Sequence, residues 1–142
     1  MNRLLYFAYG ELMNKSEMRR HFPHAKMLGV SYLDGFALCF AGRDGLARAA
    51  LKKSPESRVP GRVWSVFGED EALLCRLHGA PNTARPEVHP VEVGGMRLPA
   101  LVMVPSPGQS KGRPGFVAYD LMREAYETAG EDLEALRGAC RV

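Results

Sequence analysis

The run LLYFAYG at residues 4–10 constrains the fold more than any other stretch of the chain. Leu4, Leu5, Tyr6 and Phe7 follow one another without a polar break, and a glycine ends the run at position 10. So short an apolar and aromatic segment, closed by a turn residue, predicts a buried strand rather than a helix. Asn14 followed by Glu17 is a helix-start signal, Met18 and Phe22 then share one face, and Pro23 closes the segment. The chain therefore enters its core at once, turns sharply at residues 10–13, and leaves as a short helix.

The remainder is mostly strand. MLGVSYLDGFALCF (27–40) carries two apolar runs around Asp34-Gly35, a hairpin or bend signal. Residues 45–53 predict another strand, SPESRVP a surface loop, and GRVWSVF (61–67) a strand with apolar groups on both faces, as expected where a sheet is covered on two sides. Asp70 with Leu73, Leu74 and Leu77 predicts a short helix that Gly79 and Pro81 terminate. VHPVEV and MRLPALVMV flank Gly94-Gly95, a hairpin turn, with Pro90 and Pro99 pointing to edges or bulges. PSPGQSKGRPG (105–115) predicts a mobile loop. Phe116, Tyr119, Met122 and Tyr126 then recur at helical spacing up to Gly130, and Leu133 and Leu136 suggest a last short helix. Long helices do not alternate with strands, so a doubly wound sheet is disfavoured. The order predicts an α+β fold: a mixed, mostly antiparallel curled sheet or small β-barrel flanked by short helices.

At 142 residues, without a repeat or a linker, the chain reads as one domain over 1–142. Its 46% apolar and 25% charged content is ordinary for a globular protein. The net charge of +3 is spread along the chain, which argues against a nucleic-acid partner. No run approaches the roughly 20 apolar residues of a membrane span, and the N-terminus lacks the features of a signal peptide. A cytoplasmic location without membrane association is the expectation. Cys39, Cys75 and Cys140 are widely spaced and contain no CxxC, which argues against a disulfide framework or a thiolate zinc site. His21 and His24 stand at i, i+3, but Pro23 lies between them and no third ligand is evident, so no metal is expected. The glycines and cations of GQSKGRPG lack the order of a nucleotide-binding loop.

Four segments together resemble a known family: YFAYG at 6–10 after the first strand, GRVWSV at 61–66, LCRLHG at 74–79, and PSP at 105–107 ahead of the terminal helices. Their order and spacing are similar to the γ-glutamylcyclotransferase-like fold, which includes the AIG2-like proteins. The resemblance covers nearly the whole chain. It implies an intramolecular acyl transfer in which the α-amine of a γ-glutamyl amide attacks its own γ-carbonyl, releasing 5-oxoproline and an amine or amino acid. No metal or organic cofactor is implied, and the expected partner is a small acidic or γ-glutamyl molecule. The first turn would act as an anion cradle made by Tyr9, Gly10, Glu11 and Leu12, with backbone N–H groups facing the substrate carboxylate. Glycine suits position 10 through close approach and positive φ.

The chain departs from the family pattern where the chemistry is expected. The family's acid/base glutamate lies in a Leu-x-x-x-Glu-Gly context, and LCRLHG puts His78 there, with Gly79 beside it as a binding residue. Histidine can serve as a base, but its neutral form does not pair with an ammonium as a carboxylate does. The family's usual Ser-Asn after Tyr-Gly is Glu11-Leu12. Candidate catalytic residues are therefore His78 and the displaced carboxylate Glu11, with Glu87 a weaker choice. Lys111 or Arg113 could meet a substrate carboxylate if loop 105–115 acts as a lid. The enzymatic reading is a cyclotransferase with an altered acid/base. Its alternative is an inactive small-molecule binder on the same scaffold.

Overall fold

In a computed structural model, described for residues 2–141, five strands form one sheet in the order β2-β3-β1-β5-β4. The strands are β1 (Arg3–Ala8), β2 (Lys26–Ala41), β3 (Arg48–Phe67), β4 (Ala84–Val93) and β5 (Met96–Pro105). The helices are α1 (Lys15–His21), α2 (Glu71–Leu77), α3 (Phe116–Ala129) and α4 (Glu134–Ala139). β1 lies at the centre, antiparallel to β3 and parallel to β5. Because side chains alternate along a strand, Phe7 and Tyr9 enter one core with Val63, Val102, Met122 and Tyr126. Tyr6 and Ala8 enter the other with Trp64, Met18, Leu74 and Met103. Covered on both faces, β1 needs the unbroken apolar run that the sequence displays.

The sheet curls but does not close, so the barrel alternative is corrected. Its two edge strands, β2 and β4, meet through Ser31 Oγ, which donates to the Glu92 carbonyl at 2.7 Å, and no ladder joins them. The expected hairpin or bend at Asp34-Gly35 and the loop at SPESRVP prove to be two sides of one irregularity. Asp34 pairs with Arg58 and Phe36 with Lys53, so residues 54–57 stand opposite Gly35 alone. This multi-residue bulge lets strands of 16 and 20 residues pass through and bend.

The β4–β5 hairpin forms in the expected place, with Val93 opposite Met96 and positive φ at Gly94 and Gly95, as a tight two-residue turn requires. Pro90 lies on the edge strand opposite Pro99, and the register runs through both without a bulge. Segment 105–115 is irregular but tied down. Gly112 N donates to Phe40 O at 3.2 Å, Gly42 N to Ser110 O at 2.8 Å, and Gly45 N to Arg113 O at 2.8 Å. No helix among the described residues is long and apolar enough to cross a membrane.

Candidate active site

β1 delivers Tyr9 and Gly10 to a 3₁₀ turn over Glu11–Met13. Tyr9 is buried, and its hydroxyl donates to the Met103 carbonyl of β5, so it anchors the turn. Burial holds its phenol well above the ordinary value. Gly10 has φ −101°, so the expected positive φ is not what requires glycine there. Close approach does: a Cβ at position 10 would lie 3.1 Å from the Ala49 Cβ. The first N–H groups of a helical turn have no partner within it. At the far end, Met13 N donates to Gly10 O and Asn14 N to Glu11 O, each at 3.0 Å.

The turn is fastened from behind by two buried polar residues. Asn14 caps α1 by accepting from Glu17 N at 3.2 Å, while its Nδ2 donates to Leu121 O of α3 at 3.0 Å. Arg62, 2% exposed, donates from Nη1 to Met13 O at 2.7 Å and from Nη2 to Thr128 Oγ1 at 3.0 Å. A buried guanidinium is costly without partners, and burial lowers the pKa of this one. Its value to the molecule is to hold the turn against α3.

His78 follows α2, where Gly79, with φ +73°, ends the helix. A side chain at position 79 would overlap Thr83 Oγ1, and that hydroxyl donates to His78 O. His78 Nδ1 lies 2.8 Å from Leu74 O; since a carbonyl only accepts, Nδ1 carries the proton. Nε2 is then the lone-pair nitrogen in the neutral ring, 3.3 Å from the Tyr6 hydroxyl, which can donate to it. Burial first, and Arg48 in addition, lower the imidazole pKa against the opposing Leu74 hydrogen bond. His78 is thus a neutral imidazole engaged at both nitrogens.

A cavity of about 260 Å³ brings together Tyr9, Gly10, Glu11, Leu12 and His78, with Glu17, His21 and Arg48 on its walls. The turn and residue 78 lie far apart in sequence, and the fold makes them neighbours. Gly79 lines neither this cavity nor the adjoining one of about 170 Å³, which shares Tyr9, Arg48, Ala49 and His78 with it and extends past Arg43, Thr83 and Gln109. Burial first and Glu17 second raise the Glu11 carboxyl above its ordinary value, against lowering by Arg48, His21 and Arg20. Glu17 itself is engaged by Arg20 at 2.9 Å. Arg48 acts electrostatically on both Glu11 and His78, and its Nη1 donates to Leu77 O. Sequence reasoning missed it, because in GLARAAL nothing separates this arginine from any other on an exposed strand position.

The other candidates fall elsewhere. Glu87 sits on β4 with Arg85 at 3.4 Å and His89 at 2.9 Å, lowering its pKa, and is outside the cavity. Arg113 is paired with Asp44 at 2.7 Å, which holds that carboxyl down at about 2, and Lys111 faces a separate cavity. Neither reaches the Glu11 cavity. Among the described residues no cluster of His, Cys, Asp and Glu could hold a metal ion.

A family model described as "Gamma-glutamyl cyclotransferase, AIG2-like" matches residues 6–122. No curated protein sequence matches the chain. Among solved structures, one described as gamma-glutamyl cyclotransferase is similar with a TM-score of 0.85 at 19% identity, over 97% of this chain and 86% of that one. An uncharacterized protein from Homo sapiens also gives 0.85 at 19% identity, over 98% and 87%. A yeast protein described as a glutathione-specific γ-glutamyl cyclotransferase gives 0.63 at 13% identity, over 98% and 97%. At these identities the structural likeness speaks for the fold.

Proposed function

The chain belongs to the γ-glutamyl cyclotransferase, AIG2-like family, and on that premise we propose that it catalyses intramolecular acyl transfer on a γ-glutamyl amide, releasing 5-oxoproline, with Glu11 rather than residue 78 as the acid/base. The observation that carries this reading is the placement of the Glu11 carboxyl, raised in pKa, in one cavity with Arg48, the 9–12 turn and His78.

The α-carboxylate of the substrate would be received by Arg48 and by the open N–H groups of the turn. Glu11, ionised, takes a proton from the substrate ammonium, which a carboxylate also attracts as a counter-charge. The freed amine attacks the γ-carbonyl carbon, forming the ring C–N bond. Glu11 gives that proton to the leaving nitrogen and takes a second one from the ring nitrogen of the tetrahedral adduct, which collapses with cleavage of the original amide C–N bond. The second proton then passes to the departing amine, which leaves as its ammonium. Two protons thus move from the ring nitrogen to the leaving nitrogen, Glu11 ends ionised as it began, and no water, metal or cofactor is consumed. Ring closure within one molecule supplies the proximity, and proton transfer is the part left to the protein. A raised carboxylate lies closer to the working pH and is therefore better matched to moving protons in both directions. His78 acts as a positioning residue: its lone pair already faces Tyr6, so it orders the cavity wall.

The test is release of 5-oxoproline from a panel of γ-glutamyl amides and γ-glutamyl amino acids by the purified protein. Turnover of one panel member, abolished by Glu11→Gln, supports the reading. The binder alternative draws on the same engagement of His78 at both nitrogens, which leaves the family's glutamate position without a free proton acceptor. Absence of turnover together with a melting shift from 5-oxoproline or glutamate would favour the binder.

A further inference from the structure

A third cavity, of about 280 Å³, shares no lining residue with the two described above. Its walls come from β2 (Ala37–Phe40), β3 (Lys52, Ser57, Arg58, Pro60), Lys111 and Gly112 of the tethered segment, and α4 with Arg141 after it. Four cationic side chains line it, Lys52, Arg58, Lys111 and Arg141, and no acidic side chain does among the described residues. Arg141 is shared with Glu134 at 3.4 Å, whereas Lys52, Arg58 and Lys111 form no ion pair among the described residues. The nearby Glu131 is taken by the Tyr32 hydroxyl.

The site has an internal order that scattered surface cations lack. The Arg58 guanidinium lies over the Tyr32 ring, 3.8 Å from its centroid, so its plane is held and its N–H edge stays available. The backbone of Lys111 is held by its bridge to Ala41, and that of Gly112 by the bond to Phe40 O. Between them the Cys39 thiol feels both Lys52 and Lys111, which lower its pKa against the larger raising effect of burial. Leu38, Phe40, Pro60 and Ala139 add apolar wall beside the cations. Three cationic side chains without an ion-pair partner among the described residues, around a small, partly apolar cavity, match one strongly charged oxyanion carried on a small organic body.

We propose that this cavity is a binding site for a small phosphate monoester, with the phosphoryl group held by Lys52, Lys111 and the edge of Arg58 and the organic part against Leu38, Phe40 and Pro60. A phosphoryl group at neutral pH carries about −1.5 to −2 charges and three acceptor oxygens, which matches the donor set. The site is separate from the Glu11 cavity, so it stands or falls independently of the catalytic reading.

The experiment is a titration of the intact protein with inorganic phosphate and with phenyl phosphate, followed by amide chemical shifts and by the rate of Cys39 alkylation. Saturable binding of both, tighter for phenyl phosphate, is expected, with shifts centred on Cys39, Arg58, Lys111 and Gly112 and slower alkylation of Cys39. The double variant Lys52→Ala/Lys111→Ala should weaken phenyl phosphate by about tenfold, since it removes two exposed charge contacts to the phosphoryl group. Both lysines are exposed, and an unchanged melting temperature would verify that the variant folds. Non-saturable shifts, shifts centred on residues 9–12, or equal affinity in the double variant would overturn the site. Binding of inorganic phosphate without any gain from the phenyl group would overturn the organic ligand.

Discussion

At the scale of single residues, burial disfavours the charged form of both catalytic candidates, Glu11 and His78. His78 occupies the place where the family resemblance locates an acid/base, yet both ring nitrogens are engaged and burial disfavours its charge. Glu11 occupies a place where the resemblance locates a small hydroxyl, yet it is the carboxyl with the raised pKa. The linkage consequences have opposite signs. For His78 the folded pKa lies below the unfolded one, so its contribution to stability is complete above about pH 6.5 and declines as pH falls through that value toward the folded pKa. Chemical denaturation at stepped pH should show this acid-side loss, and His78→Gln should reduce it. For Glu11 the folded pKa lies above the unfolded one, so stability declines as pH rises from about 4.3 toward the folded pKa. Glu11→Gln should therefore fold at pH 7 with a melting temperature equal to or above that of the parent, so any loss of activity cannot be blamed on unfolding. Arg62 is a third such residue. Arg62→Met should cost about 1–3 kcal/mol in a denaturant melt, because it strands the buried Met13 carbonyl. Nothing in GRVWSVF announces that role: alternation marks the strand but not which polar group beneath a turn needs a partner.

At the scale of elements, the legible features are those with local causes. The short first strand ahead of Gly10, the Asn14 cap, the end of α2 at Gly79 and the Gly94-Gly95 hairpin all follow from residues adjacent in sequence. Gly79→Ala tests one of them. With φ at +73° and Thr83 Oγ1 in the way, it should destabilise by about 1–3 kcal/mol and shift the α2 end that carries His78. What the sequence obscures are features decided by distant partners. SPESRVP has loop composition, but the ladder on either side carries it as a bulge opposite Gly35. PSPGQSKGRPG likewise reads as free, whereas Asp44 and the backbone of residues 40–47 hold it. Such tethering argues against a lid role for this loop. The Arg113→Ala variant, which removes the Asp44 pair, should therefore raise amide exchange in segment 109–115.

At the scale of the whole molecule, the central position of β1 explains both the fold and the site. A strand buried on two faces must end where the sheet ends, and this one ends at a cavity built from the turn, β3 and the end of α2. Curl brings the sheet edges together without closing them, and Ser31 Oγ to Glu92 O is a hydrogen bond across the gap. Ser31→Ala should cost about 0.5–1.5 kcal/mol in thermal or denaturant melts. The family and the α+β class were legible because four motifs in order imply one topology. The open sheet was not, because closure depends on the reach of two edges that no local pattern encodes. The same holds for Arg48, which becomes notable only once the fold sets it beside Glu11 and His78.

The central claim, an acid/base carried by Glu11 across the cavity from the family's usual position, is tested most directly by the rate of 5-oxoproline release from one γ-glutamyl substrate by the parent, Glu11→Gln and His78→Gln proteins. The account predicts that Glu11→Gln loses about 10²–10⁴-fold in kcat, the usual worth of a general acid/base. His78→Gln should lose much less in kcat and act mainly on KM. The reverse order, with His78→Gln abolishing turnover and Glu11→Gln sparing it, would contradict the account.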